Sequence, residues 1–171
     1  MIESSALTNA LVFFIFFGAT LFAFVYRTLG GDDIVHEALK ALGLHTGWAI
    51  LIFVMALVFI LGFFFDWIEV CLIVLPVFTP LIKTLDFGAH VPHEDIVYWF
   101  LICLAVNLQT SFLTPPFGFA LFYIKGIAPK EVKIQSIYKG IVPFVILQLI
   151  GLILVIAFPE LALWLMKLSY E

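Results

Sequence analysis

Charged residues are sparse in this sequence, and they separate four long stretches that contain no Asp, Glu, Lys or Arg. These stretches cover residues 4–26, 41–65, 96–124 and 140–159. A helix needs about 20 apolar residues to cross the hydrocarbon core of a membrane. The pattern therefore predicts spanning helices over residues 5–26 and 139–159, near the two ends of the chain.

The polar segment after the first stretch predicts a helix at the membrane surface. Gly30 and Gly31 end the first helix. Apolar residues then recur among charged ones at helical spacing, at positions 34, 35, 38, 39, 42 and 44. A helix with one apolar and one charged face lies in the interface plane. We therefore expect an interfacial helix over residues 32–45.

Residues 46–84 predict a helical hairpin that enters the membrane and returns. The second apolar stretch is followed by Asp66 and Glu69, and then by an apolar run too short to cross the membrane with ease. Pro76 and Pro80 interrupt that run. Two short crossings remain the alternative, and the two carboxylates at the turn favour the hairpin.

The third stretch predicts a broken helix over residues 95–124. Pro115 and Pro116 are adjacent; each lacks a backbone N–H and keeps the preceding residue out of the α conformation. Unpaired backbone groups are costly in hydrocarbon, so such a break survives only where it is packed in protein or lines a wet cavity. Secondary transporters use breaks of this kind to coordinate cations with freed carbonyls.

Polar residues accompany this break, which favours a functional interpretation. They are Asn107, Gln109, Thr110, Ser111 and Thr114. The alternative is a proline kink whose hydroxyls bond local carbonyls. Asn107 could equally bond across helices or support a site. Asp66 and Glu69 could either have a capping role or lie exposed at the interface, or they could handle an ion or a proton.

The composition fits a membrane protein and excludes other classes. Hydrophobic residues make up 64 % of the 171 residues and charged residues 12 %, with a net charge of −4 and a mean hydropathy of +1.21. Soluble domains carry about 25 % charge, and nucleic-acid binders need a basic face. We therefore expect an all-α integral membrane protein in contact with the lipid bilayer, and no binding of nucleic acid.

The distribution of charge predicts the orientation. Residues 125–139 carry four lysines and one glutamate, whereas residues 27–45 and 83–95 carry more acids than bases. Basic loops stay in the cytoplasm. The C-terminus is then expected outside, whether residues 46–84 form a hairpin or two crossings.

The segment Asn107-Leu-Gln-Thr-Ser-Phe-Leu-Thr-Pro-Pro-Phe-Gly118 resembles a signature of the large membrane subunit of TRAP (tripartite ATP-independent periplasmic) transporters. Gly62-Phe-Phe-Phe-Asp66 and the ending Phe158-Pro-Glu-Leu-Ala-Leu-Trp-Leu165 are similar to other segments of that family. The resemblance covers essentially the whole chain. The sequence of the first segment is similar to that found in the branch of the family labelled for mannitol or chloroaromatic compounds.

The resemblance implies a function and its partners. TRAP transporters import organic acids across the bacterial inner membrane, using a sodium gradient, a periplasmic substrate-binding protein and a small membrane subunit. In that family the large subunit moves a transport domain as an elevator against a scaffold, and its two halves are inverted repeats. This chain would be its C-terminal half, with the re-entrant hairpin, the Thr-Pro-Pro broken helix and a periplasmic C-terminus. No cofactor is implied beyond Na⁺ as coupling ion and an organic anion as substrate.

The resemblance also implies site residues. A sodium site would use backbone and hydroxyl oxygens of Gly62, Ser111, Thr114 and Phe117, with Ser111 standing where the family commonly has Gly. Sodium is a hard cation that prefers such oxygens. Supporting residues of the transport site would be Asp66, Asn107, Gln109, Pro115, Pro116 and Gly118.

Two other function classes remain as alternatives. The family's large subunit is more than twice as long, and the sequence contains no second Thr-Pro-Pro, so we expect a C-terminal fragment or a truncated reading frame. A non-transporting scaffold or assembly subunit is the main alternative. A membrane-embedded enzyme lacks support, since no His lies in the core spans. His90, His93 and Glu94 could indicate a metal, but Pro92 favours a solvated loop.

Overall fold

The computed structural model is all-helical over the residues that it describes, which are 2–115, 118–129 and 131–170. This part of the chain contains eight α-helices and two short 3-10 turns, at Gly88–His90 and His93–Asp95. The helices are α1 (Ile2–Thr28), α2 (Gly31–Ala41), α3 (Gly47–Leu61), α4 (Trp67–Lys83), α5 (Ile96–Leu113), α6 (Phe119–Ile127), α7 (Ile134–Ala157) and α8 (Glu160–Tyr170).

Helices α3, α4 and α5 form the interior. Each contributes a buried face whose residues recur at helical spacing, such as Leu51, Val54 and Val58 on α3. Val70 and Val74 belong to the corresponding buried face of α4. The largest fully buried side chains lie on α5, namely Trp99 and Phe100.

Three helical segments of the described chain are long and apolar enough to cross a membrane: Ser5–Thr28, His93–Leu113 and Ile134–Ala157. Half of the central segment is buried inside the structure, but none of the first and only 6 % of the last. Large apolar side chains that face outward along α1 and α7 suit lipid or a partner protein rather than water. The chain is a multi-pass membrane protein with α5 at its centre.

Helix α2 ends because of a glycine in the left-handed conformation. Gly43 has φ 77°, and the N–H of Leu44 donates to the carbonyl of Leu39 at 3.0 Å. This satisfies a carbonyl in the last turn, as in a Schellman motif. At the other end, Gly31 is buried, and a Cβ there would overlap the ring of Tyr26.

Helix α4 continues through both of its prolines. The sequence indicates interruptions at Pro76 and Pro80, yet the helix runs unbroken from Trp67 to Lys83. A proline in a helix interior removes one donor and strains the preceding turn. The neighbouring side chains Val74, Phe78 and Ile82 are buried, and α4 packs against α1, α2, α3 and α5, which offsets the cost of the prolines.

Candidate functional site

The carboxyl ends of α3 and α5 meet at Gly62 and Ser111. Gly62 follows the last residue of α3, and it is buried. A Cβ added at Gly62 would lie 2.8 Å from the Cβ of Ser111 and would overlap its hydroxyl. The backbone of the turn therefore rests directly on the Ser111 side chain, so two of the residues predicted for a sodium site are neighbours.

Hydroxyl groups on α5 bond back to the helix. Ser111 Oγ donates to the carbonyl of Leu108 at 2.9 Å. Thr114 Oγ1 donates to the carbonyl of Thr110 at 2.7 Å, and its N–H donates to the carbonyl of Ser111 at 3.1 Å. A hydroxyl that donates its proton in this way keeps lone pairs that can coordinate a cation or accept a hydrogen bond, and the Ser111 side chain is fully buried.

Helix α5 ends at Thr114 because Pro115 follows it. Thr114 has an extended backbone with φ −82° and ψ 129°, which is the conformation that a following proline demands. Pro115 is half-buried. Pro116 and Phe117, both predicted site residues, lie outside the described part of the chain.

Gly118 is the last residue before α6, and the space around it leaves no room for a side chain. A Cβ there would lie 2.6 Å from the carbonyl oxygen of Phe112 and 3.0 Å from that of Thr114. Its N–H donates to the Thr114 carbonyl at 3.1 Å, and its own carbonyl accepts from Leu121 in the first turn of α6 at 2.9 Å. Gly118 thus brings the start of α6 against the end of α5.

The predicted polar cluster on α5 is divided between two faces of the helix. Asn107 is 2 % exposed, and its Nδ2 donates to the carbonyl of Met55 on α3 at 2.7 Å. Thr110 is fully buried and donates to the carbonyl of Val106 at 2.9 Å. Gln109 is exposed and lines a groove between α4 and α5. Asn107 and Thr110 therefore share the face of Ser111, and Gln109 does not.

Asp66 and Glu69 lie at the start of α4, where they form a capping box. Asp66 is the N-cap residue with an extended backbone. Its N–H donates to Glu69 Oε2 at 3.3 Å, which satisfies a backbone donor that the helix leaves free. Both carboxylates also oppose the partial positive charge of the helix start.

The carboxyl ends of α3 and α5 bring partial negative charge to the turn where Gly62 meets Ser111, whereas the start of α6, which has no acidic residue in its first turn, brings partial positive charge to the end of α5. Each helix carboxyl end carries a partial negative charge of about half an electron, and α3 and α5 present two such ends together. Helix α4 begins in the same turn, but Asp66 and Glu69 offset its positive end. The corner of Gly62 and Ser111 is rich in backbone and hydroxyl oxygens, which are the ligands of hard cations.

A second polar centre, at the opposite end of α5, was not predicted from the sequence. Trp99 Nε1 donates to the carbonyl of Val155 at 2.9 Å, and His90 Nε2 lies 2.8 Å from the carbonyl oxygen of Ile156. Trp48 packs edge-on against both rings.

The sequence predicts that His90 lies in a solvated loop. This prediction is wrong for His90, which is half-buried against the end of α7. Pro159, four residues after Val155, is the signal that could have indicated the bond from Trp99 to Val155.

A metal centre receives no support from this second polar centre. His93 and Glu94 are exposed, and His90 is engaged with Ile156. Among the described residues, no group of three or more His, Cys, Asp or Glu side chains could hold a metal ion.

Comparison with known proteins identifies the family. The sequence model described as "Tripartite ATP-independent periplasmic transporter, DctM component" matches residues 1–161. The chain is 28 % identical over 171 residues to the "Ectoine/5-hydroxyectoine TRAP transporter large permease protein UehC" of Ruegeria pomeroyi, covering 99 % of this chain and 37 % of that protein. It is 28 % identical over 163 residues to the "C4-dicarboxylate TRAP transporter large permease protein DctM" of Pseudomonas aeruginosa, covering 95 % of this chain and 35 % of that protein.

A third relative is also described as a TRAP transporter permease. The "Sialic acid TRAP transporter permease protein SiaT" of Haemophilus influenzae is 28 % identical over 112 residues, which are 66 % of this chain and 17 % of that protein. The chain thus spans about a third or less of the curated relatives it matches. No solved structure matches it. These relatives are transporter permeases and not enzymes, and the chain belongs to the family of DctM components of tripartite ATP-independent periplasmic transporters.

Proposed function

We propose that this chain contributes the C-terminal half of the large permease subunit of a sodium-coupled transporter that imports organic acids. Membership of the DctM family supports a role in transport. The observation that carries the sodium coupling is the meeting of the α3 and α5 carboxyl ends at Gly62 and Ser111. Half-helix carboxyl ends and unwound carbonyls coordinate coupling ions in secondary transporters.

The proposed sodium ligands are oxygens of Gly62, Ser111, Thr114 and Phe117. Gly62 and Ser111 are in contact, and the Thr114 hydroxyl lies one turn further along the same helix end. Sites of this kind need no carboxylate, because carbonyl and hydroxyl oxygens suffice for a hard cation. Asn107, bonded to Met55, would hold α5 against α3 and so keep the two ends in register.

The lengths of α3 and α4 support the re-entrant hairpin. With 15 and 17 residues, they measure about 22 and 25 Å at 1.5 Å per residue. The hydrocarbon core is about 30 Å thick. Helices of this length, joined by the short turn from Gly62 to Asp66, fit a hairpin that enters and returns better than two crossings.

Membership of the family also supports proposals about the membrane in which this subunit lies, its orientation and its partners. The transporter would lie in the bacterial inner membrane, with the C-terminus in the periplasm as the basic segment 125–139 predicts. A small membrane subunit and a periplasmic binding protein would be its partners, and a matching first half with the other hairpin would complete an inverted-repeat elevator. The mannitol or chloroaromatic branch stays a prediction, and the related permeases named above are those for ectoine, C4-dicarboxylates and sialic acid.

The test replaces Thr114 by Ala in a complete transporter that contains this sequence. Loss of a hydroxyl ligand should raise the sodium concentration for half-maximal uptake roughly tenfold, which corresponds to about 1.4 kcal/mol. Thr28→Ala is a matched control, because Thr28 Oγ1 makes the same type of bond, to the carbonyl of Phe24 at 2.8 Å, at the end of α1.

Two outcomes would count against the proposal. Unchanged sodium dependence at normal expression would remove Thr114 from the site. Loss of subunit assembly with an unchanged sodium response would instead favour the scaffold alternative.

A further inference from the structure

Helix α8 carries an apolar stripe that no described part of the chain covers. Large apolar side chains at spacing i, i+3, i+4 and i+7 lie on one face of a helix. On α8 they are each between 61 % and 64 % exposed, and they are Leu161, Trp164, Leu165 and Leu168. No charged residue lies among these four positions.

The opposite face of α8 is fixed to the rest of the chain. Leu163 is 1 % exposed and belongs to the buried core. Lys167 Nζ lies 3.4 Å from Asp95 Oδ2, and that Asp95 is only 6 % exposed at the start of α5. The exposed stripe is therefore held in a defined direction, away from the protein.

The ion pair also shows that α8 lies across the end of the helix bundle. The bonds from Trp99 to Val155 and from His90 to Ile156 place the start of α5 beside the end of α7. Lys167 is ten residues beyond Ala157, so a continued helix would carry it about 15 Å past that end. Instead Lys167 reaches Asp95. Helix α8 has therefore turned back, and it runs close to the level where the spanning helix α7 ends.

The surface next to the stripe is apolar and suits lipid better than water. It follows directly on exposed apolar residues at the end of α7, Leu154 and Phe158. An apolar helix face at the membrane boundary sinks into the zone between headgroups and acyl chains, where Trp is the preferred residue. A four-residue stripe facing water at this level would leave a large apolar surface hydrated.

We infer that α8 is an in-plane anchor that binds the lipid surface through Leu161, Trp164, Leu165 and Leu168. Through Lys167 and Asp95 it holds the start of α5 at a fixed depth in the membrane. This surface is separate from the corner of Gly62 and Ser111, so the inference does not depend on sodium coupling.

The experiment measures the surroundings of the stripe with a nitroxide spin label. The full chain carries Leu165→Cys and Cys71→Ala; Cys103 stays, because it is fully buried. The labelled protein is reconstituted in vesicles of phosphatidylethanolamine and phosphatidylglycerol. Collision rates with oxygen, which concentrates in lipid, and with a water-soluble nickel chelate are then compared. Glu160→Cys is the matched control, because the Glu160 side chain is 80 % exposed; the change removes its carboxylate, 3.7 Å from Lys167 Nζ, but leaves the pair between Lys167 and Asp95.

A lipid anchor predicts that the label at position 165 collides several-fold more often with oxygen than with the nickel chelate, with the reverse at position 160. Frequent collisions with the chelate at position 165 would place the stripe in water and overturn the inference. Low collision rates with both reagents would place it against another protein and overturn it equally. A label at Leu168 repeats the measurement if the first variant does not fold.

Discussion

The indole N–H of Trp99 donates to the carbonyl oxygen of Val155 at 2.9 Å. In a regular helix that carbonyl would accept from the residue four positions later, which is Pro159 and has no N–H. A side chain of α5 thus supplies the donor that the sequence of α7 lacks. His90 bonds the next carbonyl, that of Ile156, so the end of α7 depends on residues far away in the sequence.

Replacement of Trp99 by Phe tests this relationship. Phe keeps an aromatic ring but removes the N–H, so the half-buried carbonyl of Val155 loses its donor. We expect the free energy of unfolding to fall by about 1–3 kcal/mol, measured by denaturant titration in detergent micelles. Trp67→Phe is the control, because Trp67 is 56 % exposed and should change stability by about 0.5 kcal/mol or less. Equal effects of the two changes would mean that the bond to Val155 contributes nothing.

A second prediction concerns the contact between Gly62 and Ser111. Gly62→Ala should destabilise the protein by about 1–3 kcal/mol, because its new Cβ overlaps the Ser111 side chain. Gly151→Ala on α7 meets nothing within 4 Å and should be neutral or stabilising by up to about 1 kcal/mol.

The double variant Gly62→Ala with Ser111→Gly shows whether the steric explanation is correct. Removal of the Ser111 side chain makes room for the new Cβ, so the two changes together should cost less than the sum of their separate costs. A coupling of about 0.5–3 kcal/mol is typical of residues in contact. Strict additivity in the double-mutant cycle would refute the contact.

A third prediction separates the two faces of α5. Asn107→Leu removes the bond to Met55 on α3 and should cost about 0.6–2 kcal/mol, the range measured for hydrogen bonds between membrane helices. Gln109→Leu changes an exposed side chain and should leave the unfolding free energy almost unchanged. A larger loss for Gln109 than for Asn107 would show that the face of α5 has been assigned wrongly.

Much of the architecture could be predicted from the sequence. A helix in lipid must be apolar over about 20 residues, so sparse charges alone indicate an all-helical membrane protein. The Thr-Pro-Pro segment after Asn107 was sufficient to indicate the family. The division of the polar cluster could also be predicted, because Asn107 and Gln109 lie about 160° apart around a helix with 3.6 residues per turn.

Long-range contacts could not be predicted in the same way. The backbone of Gly62 meets Ser111 only because α3 and α5 pack together, and no local pattern encodes that meeting. His90 looked like a loop residue because its partner, the carbonyl of Ile156, is 66 positions away. Local sequence patterns describe a residue's own helix or turn, whereas these contacts depend on how separate helices come together.

The last prediction distinguishes the two roles considered for Asp66 and Glu69. If Glu69 acts as a cap, Glu69→Gln should retain stability and uptake, because the amide oxygen can still accept from the Asp66 N–H. Glu69→Ala should then lower the unfolding free energy by about 0.5–2 kcal/mol, as the loss of a cap does. If Glu69 instead carries a proton or an ion, Glu69→Gln should abolish uptake in the complete transporter while stability stays unchanged. Both variants therefore need both measurements, since only a loss of uptake without a loss of stability would move Glu69 from a structural to a transport role.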